Sequence, residues 1–187
     1  MVVIDSTNLL LILRPGTPVP AGPDGKPVER AKERIDYLVQ RLSKDRSKII
    51  IPTPALSEAL VRAGAAASQQ IVEELQKYAV FSIEPFDTRA ALEAAAMSRE
   101  AIAGGNKKAN STAPWQKVKY DRQIVAIAKV HGATEIYSDD TGIIALGERA
   151  KIKVVRLKDL SLPPESDQLD LLDLAAATAE NMSSDEG

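Results

Sequence analysis

Short apolar runs alternate with helical patterns along this chain, and that alternation constrains its fold more than any other feature. The runs fall near residues 2, 49, 80, 135 and 153. Met1–Ile4 ends in Asp5, after which Ser6 and Thr7 can cap a helix over residues 8–13. Residues 15–27 hold five prolines and three glycines, which precludes regular structure there. A helix over 28–44 follows, with Ile35, Leu38, Val39 and Leu42 on one face. Ile49–Ile51 is a strand, and Thr53-Pro54 reads as N-cap and first helical residue of a helix stopping near Gly64. A helix through Ile71, Val72 and Leu75, a strand over Val80–Ile83, and an alanine-rich helix from Asp87 to Gly104-Gly105 come next. After a polar stretch, a helix resumes near Asp121 and stops at Gly132. Glu135–Ser138 is a strand, Thr141–Arg149 a short helix, and Lys153–Arg156 the last strand. Strands alternating with helices predict an α/β fold of three layers, α/β/α, around a mostly parallel sheet of about five strands.

Composition narrows the function classes. No apolar run reaches the ~20 residues needed to cross a bilayer, so no membrane partner is expected. The N-terminus lacks a basic region and a small-residue cleavage site. Cysteine is absent, which excludes thiol catalysis and cysteine-based zinc sites and fits a cytoplasmic setting. The net charge of −2 conceals an asymmetry: up to Leu162 the chain carries 24 basic and 19 acidic residues, a net +5. Beyond Pro163 stand seven acids and no Lys or Arg. We therefore divide the chain into a domain over 1–162 and an acidic, flexible tail over 163–187, within which Leu169–Ala177 has the composition of a short helix. A basic body is compatible with a polyanionic partner.

In an open parallel sheet, ligands collect at the carboxyl ends of the strands. Asp5 ends the first strand, and Asp139 and Asp140 follow the fourth. Taken singly, each has an ordinary explanation as a helix N-cap. Glu58 lies too far into its helix to complete a capping box with Thr53, but an i,i+4 pair with Arg62 would account for it. Asp121 is equally a helix N-cap or a partner of Lys117. His131, before Gly132, reads as a helix-terminus residue. The set of acids in this order is what points to chemistry.

That set resembles the ordered acidic motifs of PIN domains, VapC-like ribonucleases among them. The blocks are Val-Ile-Asp5-Ser-Thr-Asn-Leu-Leu, Pro-Thr-Pro-Ala-Leu-Ser-Glu58-Ala-Leu, Asp121-Arg-Gln-Ile-Val-Ala-Ile-Ala and Ile-Tyr-Ser138-Asp-Asp140, and the resemblance spans roughly residues 2–160. The resemblance implies that Asp5, Glu58, Asp121 and Asp140 are catalytic, metal-binding carboxylates. The Ser-x-Asp pattern puts Asp140 in the ligand position and Asp139 in the variable one; the reverse stays open. Thr7 occupies a position where the family often has Asn, and Thr7 or Ser138 would orient a ligand or a water. The implied cofactor is Mg²⁺ or Mn²⁺, and the implied reaction is hydrolysis of RNA phosphodiester bonds by metal-activated water, leaving a 5′-phosphate. Small members of the family are commonly toxins held inactive by an antitoxin protein and are often homodimers. The competing reading is a PIN-fold module that binds RNA or protein without cleavage. The stretch 106–119 contains Lys107, Lys108, Lys117 and Lys119 and no acid, so it is the candidate contact for nucleic-acid phosphates. Its Trp115 either stacks on a base or packs back on the domain. The tail would compete with nucleic acid for that lysine-rich surface.

Overall fold

The computed structural model describes residues 1–14, 16–22, 24–108 and 112–164. Five strands form one sheet: β1 (Val2–Ile4), β2 (Ile49–Pro52), β3 (Phe81–Glu84), β4 (Glu135–Tyr137) and β5 (Lys153–Val155). They lie in the order β3-β2-β1-β4-β5, and every pairing is parallel. Among the described residues, seven helices connect them: α1 (Ser6–Leu13), α2 (Ala31–Lys44), α3 (Thr53–Ala63), α4 (Ala65–Lys77), α5 (Thr88–Ala103), α6 (Trp115–Val130) and α7 (Thr141–Ala150). The strand order reverses at β1, so β1 and β4 leave a crevice at their carboxyl ends.

Strand residues alternate between two cores, as their period of two requires. Val2, Ile4, Ile49 and Ile51 face a cluster with Leu9 and Leu10 of α1, Ile35 and Leu38 of α2, Leu56 of α3, and Ile71 and Leu75 of α4. Val3, Ile50 and Ile136 face the other cluster, filled by Ala90 of α5, Ile124, Val125 and Ile127 of α6, and Ile143 and Leu146 of α7. The sheet is thus covered on both sides, which explains why its central strands β1 and β2 are wholly apolar, buried runs rather than half-polar ones. Gly147 lets α7 approach β5: a Cβ there would stand 2.4 Å from Val154 Cγ2.

Several boundaries differ from the sequence expectation. The late helix begins at Trp115, not near Asp121, because Pro114 at its N-cap starts it early and Val118 is buried on its inner face. Asp121 therefore lies in its second turn and is no N-cap. Thr53 does not cap α3 either; its hydroxyl accepts the Phe86 N–H at 3.1 Å and ties the start of α3 to the segment after β3. The cap of α1 is Asp5 rather than Ser6 or Thr7. Glu58 and Arg62 form no ion pair among the described residues. The proline-rich segment closes on itself through an isolated bridge, Ala21 to Pro27, and is tied back to α1 by the Thr17 hydroxyl, which donates to the Leu10 carbonyl. Leu169–Ala177 and nearly all of the acidic tail lie outside the described residues.

Ile50 is 1% exposed and sits in the sheet interior beside β1. Ile50→Ala should cost about 2–5 kcal/mol through lost burial and the cavity left behind. The check is urea denaturation: a lower midpoint with an unchanged slope is expected.

Candidate functional site

The carboxyl end of β1 delivers Asp5 into the crevice, and the carboxyl end of β4 delivers Ser138, Asp139 and Asp140. Asp5 caps α1: its Oδ1 accepts the Asn8 N–H at 2.9 Å. The other oxygen, Oδ2, accepts the Ser138 hydroxyl at 2.5 Å. That hydroxyl also accepts the Asp140 N–H at 3.1 Å, so one serine links the ends of both strands. Asp140 repeats the division of labour. Its Oδ1 caps α7 by accepting the Gly142 N–H at 2.7 Å, while Oδ2 faces the crevice and accepts from Lys117 Nζ at 2.6 Å. Capping and site chemistry are not alternatives here, because each carboxylate has two oxygens and spends one on each.

Asp121 enters from the second turn of α6. Its Oδ1 lies 3.2 Å from Lys117 Nζ, one helical turn earlier. Its Oδ2 is buried and has no hydrogen-bond partner. The start of α7 backs directly onto it: a Cβ on Gly142 would stand 2.4 Å from Asp121 Oδ2 and 3.0 Å from Asp140 Oδ1. Asp121, Asp140 and Lys117 thus form a compact group beside the Asp5–Ser138 pair. Glu58 stands exposed on α3 with no hydrogen bond among the described residues, yet its charge reaches Asp121. Asp139 points elsewhere: its Oδ2 accepts the Leu157 N–H at 3.1 Å and steadies the 3-10 turn Leu157–Asp159. The structure therefore brings Asp5, Asp121, Asp140 and Ser138 together, leaves Glu58 at the rim, and turns Asp139 aside.

Burial is the dominant electrostatic force on these acids. It pushes Asp5 up to about 7, against the lowering effect of the Ser138 and Asn8 hydrogen bonds and with help from Asp139 and Asp140. Burial, then the neighbouring Asp140 carboxylate, raises Asp121 to about 6; Lys117 lowers it and Glu58 raises it further. Burial also raises Asp139, while the Leu157 N–H opposes the rise. Both Asp5 and Asp121 therefore hold their protons more tightly than free carboxylates, and their charged forms are costly inside the protein.

Among the described residues, no three His, Asp or Glu side chains converge closely enough to hold an ion unaided. The donor set nonetheless fits a hard divalent cation. All its donors are oxygens, Asp121 Oδ2 has no other partner, and such ions need only one or two carboxylates beside water and phosphate. The Lys117 ammonium already lies between Asp121 and Asp140 as a cation would.

Other expected residues fall into place differently. The Thr7 hydroxyl makes no hydrogen bond among the described residues; its neighbour Asn8 is 1% exposed with both side-chain amide atoms unpartnered. Asn8 is the polar residue that sequence reasoning passed over, and its signal was position: three residues past the cap, it turns inward on α1. Lys117, a candidate phosphate contact and also the alternative partner for Asp121, faces the acids and pairs with both Asp121 and Asp140. Lys107 and Lys119 surround Trp115, at 4.4 Å and 5.7 Å from the ring centre, with the Arg122 guanidinium at 5.5 Å. Lys108 donates to the Ala113 carbonyl at 2.9 Å and closes the loop. Trp115 is half-buried, and the face under Lys107 is not open to a base. His131 ends α6 and stands 3.6 Å from Glu84.

An all-parallel α/β domain with buried carboxylates at its strand-order reversal defines a class of acid-centred α/β proteins. The sequence matches the PIN domain family model over residues 27–149, and the chain belongs to that family. The matched span includes Glu58, Asp121, Asp139 and Asp140 and begins after Asp5. No curated protein matches the sequence. Among solved structures, the fold is similar to a chain of FitAB bound to an IR36 DNA fragment, with a TM-score of 0.56 and 19% identity over 86% of this chain and 98% of that one. DNA-bound VapBC from Salmonella typhimurium gives a TM-score of 0.52 and 16% identity over 83% and 97% of the two chains. VapBC2 from Rickettsia felis, bound to a promoter DNA fragment, gives a TM-score of 0.52 and 12% identity over 83% and 98%. No helix among the described residues is long and apolar enough to cross a membrane.

The raised Asp5 and Asp121 give an unusual pH dependence. A carboxylate held above its ordinary value of 3.8 binds more protons folded than unfolded, up to about pH 7 for Asp5. Stability then falls as pH rises through that window. In EDTA, the melting temperature should drop between about pH 4 and about pH 7. Asp5→Asn should flatten that slope and raise the melting temperature at the alkaline end, since an amide carries no charge to bury. Thermal denaturation followed by circular dichroism checks both.

Proposed function

We propose that this protein is a divalent-metal-dependent endoribonuclease, with Asp5, Asp121 and Asp140 holding Mg²⁺ or Mn²⁺ and Glu58 closing the site from the rim. The observation that carries the reading is the buried Asp121 carboxylate, whose Oδ2 has no partner and whose Oδ1 shares the single Lys117 ammonium with Asp140 Oδ2. An ion bound there supplies a water of lowered pKa and offsets charge on the leaving oxygen. The protein's own part is positioning. Ser138 fixes Asp5 and the Asp140 turn, the two caps fix carboxylate rotation, and Gly142 leaves room for Asp121. Asp139 serves the fold of the 3-10 turn rather than the ion.

Lys107 and Lys119, exposed around Trp115 at the head of α6, offer a cationic approach to the phosphodiester backbone. Lys117 would meet a phosphate inside the acidic centre itself. The likeness to FitAB and VapBC chains, together with the PIN family, supports a toxin of a toxin–antitoxin pair with an antitoxin protein as partner, and we place it in the cytoplasm as a homodimer. The second reading is a PIN-fold binding module, and the acidic centre favours cleavage over it.

The discriminating experiment incubates the purified chain with mixed RNA in Mg²⁺, in Mn²⁺ and in EDTA. Cleavage with either metal and none in EDTA is expected, and Asp121→Asn should reduce the rate by at least about a hundredfold. Cleavage that survives Asp121→Asn or ignores EDTA sinks the mechanism. RNA bound but never cut, with either metal, points to the binding module. Gly142→Ala should also lower the rate strongly, because its methyl group would displace Asp121, while far-UV circular dichroism stays unchanged.

A further inference from the structure

One charged residue of the interior has no role in the carboxylate centre. Arg122 follows Asp121 on α6 but points the other way, toward α5, and is 2% exposed. A guanidinium has five N–H donors and keeps its charge at any ordinary pH. Here it donates to the Ser98 hydroxyl and to the Lys107 carbonyl, both at 3.0 Å, and its Nε is buried without a partner. No carboxylate pairs with it among the described residues. Buried arginines are nearly always paired, because an uncompensated charge in the interior is costly. This one lacks an anion.

The gap next to it has the matching shape and charge. Arg122 lines a cavity of about 410 Å³ between α5, α6 and α7. Two further cations line it, Lys129 and Arg149, against a single acid, Glu100, with Met97 and Leu146 among the apolar walls. Arg149 forms no ion pair or hydrogen bond among the described residues. Lys129 holds Glu93 at 2.6 Å, and Glu100 makes no ion pair with either arginine. Lys129 is thus already paired, whereas Arg122 and Arg149 face the same cavity and repel each other unless an anion joins them. Paired guanidiniums match the oxygen geometry of a phosphoryl group, which accepts their N–H donors in parallel.

We propose that this cavity is a phosphate-binding site, with Arg122 as its buried anchor and Arg149 and Lys129 as its outer cations. It is separate from the carboxylate centre and takes a phosphoryl group without a metal ion. The group belongs either to a small phosphate compound or to the backbone of a bound nucleic acid.

The test uses the full chain in EDTA at constant ionic strength. Inorganic phosphate, adenosine 5′-monophosphate and a short single-stranded RNA are titrated separately by calorimetry, and melting is followed with and without about 20 mM phosphate. At least one probe should bind, and bound phosphate should raise the melting temperature by about 3 °C. Arg149→Gln should weaken binding about tenfold while the unliganded melting temperature holds, since that side chain is exposed and unpaired. Arg122→Lys provides the second variant: it keeps the charge and loses the fork, and should also weaken binding. Binding of the two small probes identifies a small phosphate compound as the ligand. Binding of RNA alone, still lost in Arg149→Gln, identifies the backbone. The proposal is overturned if none of the three probes binds, or if Arg149→Gln leaves affinity unchanged while Lys119→Gln, beside Trp115, reduces it. Because the measurement excludes metal ions, its failure leaves the nuclease reading standing, and the failure of RNA cleavage leaves this site standing.

Discussion

Everything at this centre depends on the Asp5 carboxylate being buried at the end of the central strand. One of its oxygens starts α1 by capping Asn8 N–H, and the other accepts the Ser138 hydroxyl. Ser138 in turn holds the backbone that presents Asp140. The same few atoms therefore end two strands, begin a helix and arrange two acids. Removing the carboxylate from water raises Asp5 to about 7, so the fold keeps the group charged only at a cost. That cost is the physical reason to expect a cation there.

Lys117 meets part of the demand. Its ammonium spans Asp121 and Asp140, while its own affinity for its proton is raised by those acids against the opposing effect of burial. It does not reach Asp121 Oδ2, which stays unpartnered. A single tethered charge among Asp5, Asp121, Asp140 and Glu58 leaves the centre acidic. The remainder matches what a hydrated divalent ion provides. Arg122, one residue from Asp121, presents the inverse situation on the other face of α6: a buried cation without an anion. One helix thus separates two uncompensated charges of opposite sign.

The middle of the sheet was legible in the sequence because β1 and β2 are buried on both faces and read as bare apolar runs. Ile49–Ile51 and the run before Asp5 stand out for that reason. The acids at the ends of β1 and β4 were legible from topology, since a parallel sheet gathers ligands at those ends. The start of α6 was not. Lys117 and Lys119 give its first turns the composition of a loop, and Val118 is the one buried residue there that shows the inner face. The pairing of Lys117 with Asp121, one helical turn away, was open to sequence, but its contact with Asp140 was hidden, because another element supplies that partner. Asp139 and Asp140 are adjacent and alike in sequence; only the Leu157 N–H and the α7 cap draw them apart. Asn8, with its side-chain amide unpartnered, and Arg122, with an unpartnered Nε and no ion pair among the described residues, stand out only once their burial is known.

The central claim is that buried, partly protonated carboxylates give up protons to a divalent ion. Calorimetric titration of Mn²⁺ near pH 6.5, in two buffers of different ionisation enthalpy, measures the protons released on binding. The account predicts binding with release of about one proton, carried by Asp5 and Asp121, and a smaller release in Asp121→Asn. Binding with no proton exchanged, or no binding at all, would contradict it.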